Sequence, residues 1–254
     1  MFDCHVHTEF STDSSMKLKD AIKKAKDIGI GLIITEHMDL KYPVEGNFQF
    51  DVKRYFKEYG YLRNDKVLLG IELGLRTDCT DENKIIALEN PFDYVIGSIH
   101  VVNGIDIYQD YFYAEKDKNQ AYEEYFKFMY EYVKESEFFD SLGHIDYIAR
   151  YAPFEDTEIY YDIYSDYIDE VFKILSNREK AIEVNTRRIN DKKAAENILT
   201  ILKRFNELGG KYVTIGSDAH NTSDIGNNFN IALDLVEKSN LKVVYFKERK
   251  MEYI

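Results

Sequence analysis

The chain of 254 residues has two cysteines, no tryptophan and no long apolar run. Two thiols, Cys4 and Cys79, cannot build a disulfide framework, so reduced thiols in a cytoplasmic protein are expected. No stretch approaches the roughly 18 apolar residues needed to span a membrane. The N-terminus carries no basic-then-apolar signal segment, and β-type residues begin at Phe2. Positive charge is also scarce: 33 Lys and Arg against 46 Asp and Glu leave a net charge of -13. That balance repels phosphate backbones, so neither a nucleic-acid nor a membrane partner is expected. A small anion is still compatible with it, because a bound cation dominates its own neighbourhood. There is no Pro/Gly/Ser-rich linker and no low-complexity tract, so one domain over residues 1–254 is expected.

Short β-rich runs alternate with longer helical stretches. The strand candidates are Phe2–His7, Gly31–Thr35, Val67–Leu73, Tyr94–Ile99, Phe139–His144, Ala181–Asn185, Lys211–Ser217 and Lys242–Phe246. Helical spacing marks Lys17–Ile28, with Leu18, Ile22, Ala25 and Ile28 in phase and Gly29 as its stop. Asn119–Glu135, Thr157–Asn177, Asp191–Leu208 and Ser223–Lys238 read the same way. A βαβα pattern implies a parallel sheet, and seven or eight repeats in about 250 residues favour a closed barrel. The longest loop, Val101–Lys118, has the length of a functional lid.

All six histidines, His5, His7, His37, His100, His144 and His220, fall at or just past a strand end, in DCHVH, ITEH, GSIH, LGHID and GSDAH. In a β/α barrel those ends converge on one face, where active sites sit. A lone strand-end histidine is usually structural; six together point to metal ligation. Alternation turns His5 and His7 into the barrel mouth and Cys4 and Val6 toward the outer helices. It turns Glu72 and Asp218 inward as well, and a buried carboxylate there is costly unless it meets a cation. Imidazoles and carboxylates without thiolate suit zinc, manganese or iron. The donors exceed one tetrahedral shell of four, so more than one divalent ion is expected. Two ions about 3.5–4 Å apart clamp both oxygens of a displacement.

The segments HVHTEFSTDS, TEHMD, GIELGL, GSIH, GHIDYIAR, EVNT and GSDAH, in that order, resemble the PHP (polymerase and histidinol phosphatase) superfamily, and most of all its stand-alone histidinol-phosphatase branch. The likeness runs from the first strand to about residue 228. It implies an α/β fold of the distorted (β/α)7 TIM-like barrel kind, with two to three divalent ions (Zn, Mn or Fe) in what is trinuclear when full. His5, His7, Glu72 and Asp218 would hold the first ion. Glu72 would bridge to the second, held also by His100 and His144. Asp13, His37 and His220 would hold the third. Many relatives carry histidine where this chain has Asp13, which makes the third site harder and richer in oxygen.

The expected reaction is hydrolysis of a small-molecule phosphate ester, with histidinol phosphate implied by the resemblance. Glu72 and Asp218 are placed at the reaction centre; Asp218 or a metal-bound water would protonate the leaving alcohol. Arg150 and Arg187 are expected on the phosphate, since a guanidinium pairs two of its oxygens; Arg188 lies beside them. Glu183, on one strand face with Asn185, is expected to support a ligand or an arginine. Asp106, Asp110 and Glu115, with Tyr108, Tyr111 and Tyr113, are candidates to meet the amine and imidazole of such a substrate. The rival readings are a phosphodiesterase, exonuclease or nucleotide phosphatase, and a metal-binding protein without activity.

Overall fold

The apolar runs form parallel strands and the amphipathic stretches cover them. The computed structural model describes residues 1–254. Its strands are β1 (Phe2–Val6), β2 (Gly31–Met38), β3 (Val67–Gly74), β4 (Val95–Ser98), β5 (Val101–Val102), β6 (Ile105–Asp106), β7 (Ser141–Leu142), β8 (Ala181–Asn185), β9 (Tyr212–Gly216), β10 (Lys242–Lys247) and β11 (Lys250–Tyr253). Its α-helices are α1 (Leu18–Ile28), α2 (Val52–Tyr59), α3 (Thr80–Glu89), α4 (Lys118–Glu135), α5 (Tyr161–Asn177), α6 (Lys192–Glu207) and α7 (Phe229–Lys238). No helix is long and apolar enough to cross a membrane.

The main sheet runs β1-β2-β3-β4-β7-β8-β9-β10-β11. The first seven of these strands pair in parallel and curl into a barrel. Its seam is split. Beyond β9, Val6 bridges Ala219, and the His7 N–H donates to the Ala219 carbonyl at 2.9 Å. At its other end β9 pairs instead with β10, Tyr212 opposite Lys242. The barrel is therefore a distorted TIM-like one of seven strands, with β10 wedged into its base.

Four local features depart from the sequence expectation. The last strand, β11, is antiparallel, because Glu248 and Arg249 (φ 51° and 63°) form a tight reversal that two charged residues do not signal. Helix α7 starts at Phe229 and not near Ser223, since Gly226 and Asn228 take left-handed φ values of 72° and 59°. The stretch Val101–Lys118 is packed rather than lid-like: β5 and β6 pair around Asn103–Gly104, and Ile107, Phe112 and Tyr113 are buried. Finally, the β1–β2 register shifts between Asp3 and Val6. Such a bulge puts two successive residues on one face. Cys4 thus joins the barrel interior with Ile33, Leu68 and Tyr94, while Val6 packs outward.

The interior is graded. Its floor is apolar: Phe2, Cys4, Ile33, Leu68, Tyr94, Ile96 and Ala181, plugged by Val244 and Phe246 of β10. Above it lie hydroxyls, with Tyr94 Oη and Ser141 Oγ at 3.0 and 3.2 Å from Thr214 Oγ1. The imidazoles and carboxylates occupy the top. The larger core, between strands and helices, fixes the wall on which they stand.

Candidate metal centre

Glu72, fully buried at the end of β3, is the hub. Its Oε1 lies 2.9 Å from His144 Nε2 and 3.3 Å from His100 Nε2, and accepts a hydrogen bond from Ser98 Oγ at 2.7 Å. Its Oε2 lies 2.8 Å from His37 Nδ1, 3.2 Å from His5 Nε2 and 3.5 Å from His7 Nε2. Burial alone would raise this carboxyl, but His5, His100 and His37 hold it well below the usual carboxylate range. Asp218 closes the other side, Oδ1 at 3.3 Å from His7 Nε2 and 3.8 Å from His5 Nε2. It sits at φ 53°, a left-handed conformation that aspartate tolerates. There its own carbonyl takes the His220 Nδ1 at 2.9 Å, which turns His220 Nε2 toward Asp13 Oδ2, 3.0 Å away. His37 Nε2 is 3.6 Å from the same oxygen.

The structure thus gathers His5, His7, Glu72 and Asp218 into one group, and Glu72, His100 and His144 into a second sharing its hub. His37 and His220 meet Asp13 at the rim, where its side chain is 41% exposed. His144 arrives although β7 ends at Leu142: Gly143 packs so closely on Ser98 that a side chain there would collide with it.

These residues fit divalent ions. His5 Nε2, His7 Nε2, His37 Nδ1, His220 Nε2 and Glu72 Oε2 are buried without a hydrogen-bond partner. Each unsatisfied buried group costs about 1–3 kcal/mol, and their convergence is what a cation relieves. Burial and the neighbouring His37 and His220 push His7 well below its ordinary value, toward the neutral form that ligates metal.

Several ligand candidates are held from behind. Glu183 Oε1 is 2.7 Å from His5 Nδ1, and its Oε2 accepts the His144 N–H at 2.7 Å. Glu183 therefore faces a histidine and not an arginine. Gly216 leaves room for it, since a Cβ there would collide with both Glu183 and His5. Asp39, which sequence reasoning missed, sits 2.9 Å from His100 Nδ1. Its signal is present in TEHMD: two residues after His37 and one past the end of β2, it continues His37's face.

The Arg150 side chain is buried and donates through Nη1 to Asp218 Oδ2, while its Nε and Nη2 have no partner. Arg187 is at the mouth, 44% exposed, with Nη1 3.8 Å from the same oxygen. Arg188 turns away to Asp146 and Glu158. Beside His37 and His100 opens a cavity of about 440 Å³, lined among others by Asp39, Tyr42, Phe48, Asp106, Tyr108 and Tyr147. Of the loop candidates, Asp106 and Tyr108 line it. Asp110, Glu115 and Tyr111 face solvent, and Tyr113 is buried with its hydroxyl on the Ile107 carbonyl. A larger groove of about 970 Å³ on the outside, between α3 and α4, holds none of the ligand candidates.

The PHP domain family matches residues 3–187. A probable histidinol-phosphatase of Clostridium acetobutylicum is 51% identical over 253 residues, covering 100% of this chain and 99% of that protein. The histidinol-phosphatase of Lactococcus lactis subsp. lactis is 33% identical over 225 residues, 86% of this chain and 83% of its own. The crystal structure of histidinol phosphate phosphatase from Lactococcus lactis, complexed with zinc, L-histidinol and phosphate, superposes with a TM-score of 0.91 at 31% identity, covering 99% of this chain and 98% of the other. With its motifs, its split seven-stranded barrel and its buried histidine cluster, this chain belongs to the PHP domain family, in the histidinol-phosphatase branch.

Proposed function

We propose that this chain is a metal-dependent phosphomonoesterase that converts L-histidinol phosphate and water to L-histidinol and phosphate, a cytoplasmic step of histidine biosynthesis. The observation that carries the reading is Glu72, one buried carboxylate ringed by His5, His7, His37, His100 and His144. A single carboxylate facing two imidazole groups is the donor set of a bridged pair of ions. On this reading His5, His7, Glu72 and Asp218 hold one ion, Glu72, His100 and His144 a second, and Asp13, His37 and His220 a third, drawn from zinc, manganese or iron. When bound, such ions polarise a phosphoryl group and lower the pKa of water toward ~7.

The chain's own groups do the positioning. Arg150 has two free donors behind Asp218, suited to phosphoryl oxygens, and Arg187 approaches from the mouth. The adjoining cavity combines acids (Asp39, Asp106) with aromatic rings (Tyr42, Phe48, Tyr147). That lining suits a cationic amine and an imidazole. The zinc, L-histidinol and phosphate in the Lactococcus lactis complex support the same assignment.

The test is steady-state turnover after loading with manganese, zinc or iron in turn. Histidinol phosphate is expected to be hydrolysed far faster than bis-p-nitrophenyl phosphate or any member of a nucleotide panel. Faster diester turnover would favour a phosphodiesterase. Bound metal with no hydrolysis of any ester would favour a protein without activity.

A further inference from the structure

Two ligand candidates, His5 and His100, are backed directly by carboxylates, and His220 by a backbone carbonyl. His7 is different. Its Nδ1 lies 3.0 Å from Ser11 Oγ, and Ser11 Oγ lies 2.6 Å from Glu36 Oε2. Glu36 is fully buried on the β2 face opposite His37.

The proton positions along this chain follow from counting donors. Glu36 is approached by the Thr8 N–H at 3.1 and 3.0 Å, by the Thr8 hydroxyl and by the Ser11 hydroxyl. Each of these can donate, and all of the contacts are met together when Glu36 accepts at both oxygens, as a carboxylate does. Ser11 therefore spends its one proton on Glu36. Its two lone pairs remain, and two donors address them: the His37 backbone N–H at 3.1 Å and the His7 ring at 3.0 Å. His7 must then carry its proton on Nδ1. Its Nε2 lone pair is left aimed between Glu72 and Asp218.

The geometry points to Glu36 and Ser11 as a positioning relay: a buried carboxylate that acts through a serine hydroxyl to hold His7 in the tautomer and orientation a metal requires. The inference rests on the reading of His7 as a ligand. The relay also joins two candidate ion sites, because the same oxygen fixes the His37 backbone. Removing the hydroxyl leaves the ring free to turn and to protonate on Nε2, the wrong nitrogen.

The test uses the full chain, with Zn²⁺ titrated against a competing chelator and ring-nitrogen NMR of the metal-free protein. His7 is expected as the Nδ1–H tautomer in the native chain. Ser11→Ala should mix the tautomers and weaken zinc binding about 10- to 100-fold, the usual effect of losing a ligand's supporting hydrogen bond. Glu36→Gln should do the same. Ser11→Thr, which keeps the hydroxyl, should restore most of the affinity. Tyr59→Phe, which removes only a contact to Thr8 Oγ1 at 2.9 Å, should leave it unchanged. A native Nε2–H tautomer, or unaltered affinity in Ser11→Ala, would overturn the relay. His7→Ala separates the two readings: if it binds zinc as the native chain does, the ligand assignment fails, not the relay alone.

Discussion

Asp39 and His100 form a buried carboxylate–imidazole pair, with Oδ1 and Oδ2 2.9 and 3.2 Å from Nδ1. The contact leaves His100 Nε2 free to face Glu72 and His144, at 3.3 and 3.4 Å. Asp39→Asn removes the charge that favours the Nδ1–H tautomer. It should weaken metal binding about 10- to 100-fold, read by chelator competition. Gly74 offers an independent check, because any Cβ there would run into the Asp39 carboxylate. Gly74→Ala should reproduce the loss with every acidic group still present.

Glu72 faces five imidazoles, so its charge serves more than one ion site at once. Glu72→Gln keeps the shape and removes that charge. Metal content should fall and kcat should drop on the order of 10³-fold or more, since bound ions supply several kcal/mol of transition-state stabilisation. Far-ultraviolet circular dichroism should change little, because the substitution is isosteric. Near-normal turnover would refute a shared bridge.

How much of this was legible beforehand depends on what each residue answers to. His37 and Glu72 lie within β2 and β3, and His5 pairs with His7 two residues on, so alternation turns them inward. His100, by contrast, lies past the end of β4, and Asp218 reaches the centre past β9 through its left-handed φ of 53°. The bulge at Cys4 breaks that period, and nothing in FDCHV announces it. Asp39, one residue past β2, is readable by the same alternation from His37. Ser11 and Glu36 were not readable, because their bond joins a loop to the outward face of a neighbouring strand. Of the cavity rings, Tyr42 and Phe48 come from the loop between β2 and α2 and Tyr147 from the segment after β7, and none carries a periodic signal. Helices α2 and α3 were also missed: α2 is a short VKRYFKEY, and α3 leaves Ile85 and Leu88 exposed, which blurs its apolar face.

The two arginines beside Asp218 should separate kinetically. Arg187 is half exposed and only 3.8 Å from Asp218, so nothing structural depends on it. Arg187→Ala should raise KM for histidinol phosphate by a factor on the order of 10 to 100, the worth of about 1.5–3 kcal/mol for a hydrogen bond to a charged group, with metal content intact. The Arg150 side chain is buried and paired with Asp218. Breaking a buried pair from one side costs about 3–5 kcal/mol, so Arg150→Ala should lower the melting temperature as well as kcat. Equal kinetic effects with unchanged stability would contradict this division.

Asp13 is the ligand candidate most open to solvent. Its Oδ2 stands 3.0 Å from His220 Nε2 and 3.6 Å from His37 Nε2, so the rim group is two imidazoles and one hard oxygen. The residues of the other groups are all buried, whereas Asp13 leaves this one open to solvent on its side. Ions should therefore leave it first as chelator is added. Oxygen donors favour manganese relative to zinc more than imidazole does. Asp13→His should shift the weakest-held ion toward zinc by about tenfold or more, and the ions held through Glu72 should keep their affinity. Competition between zinc and manganese, followed by metal analysis at each step, measures both. Equal shifts at all sites would mean that the rim group is not a separate site.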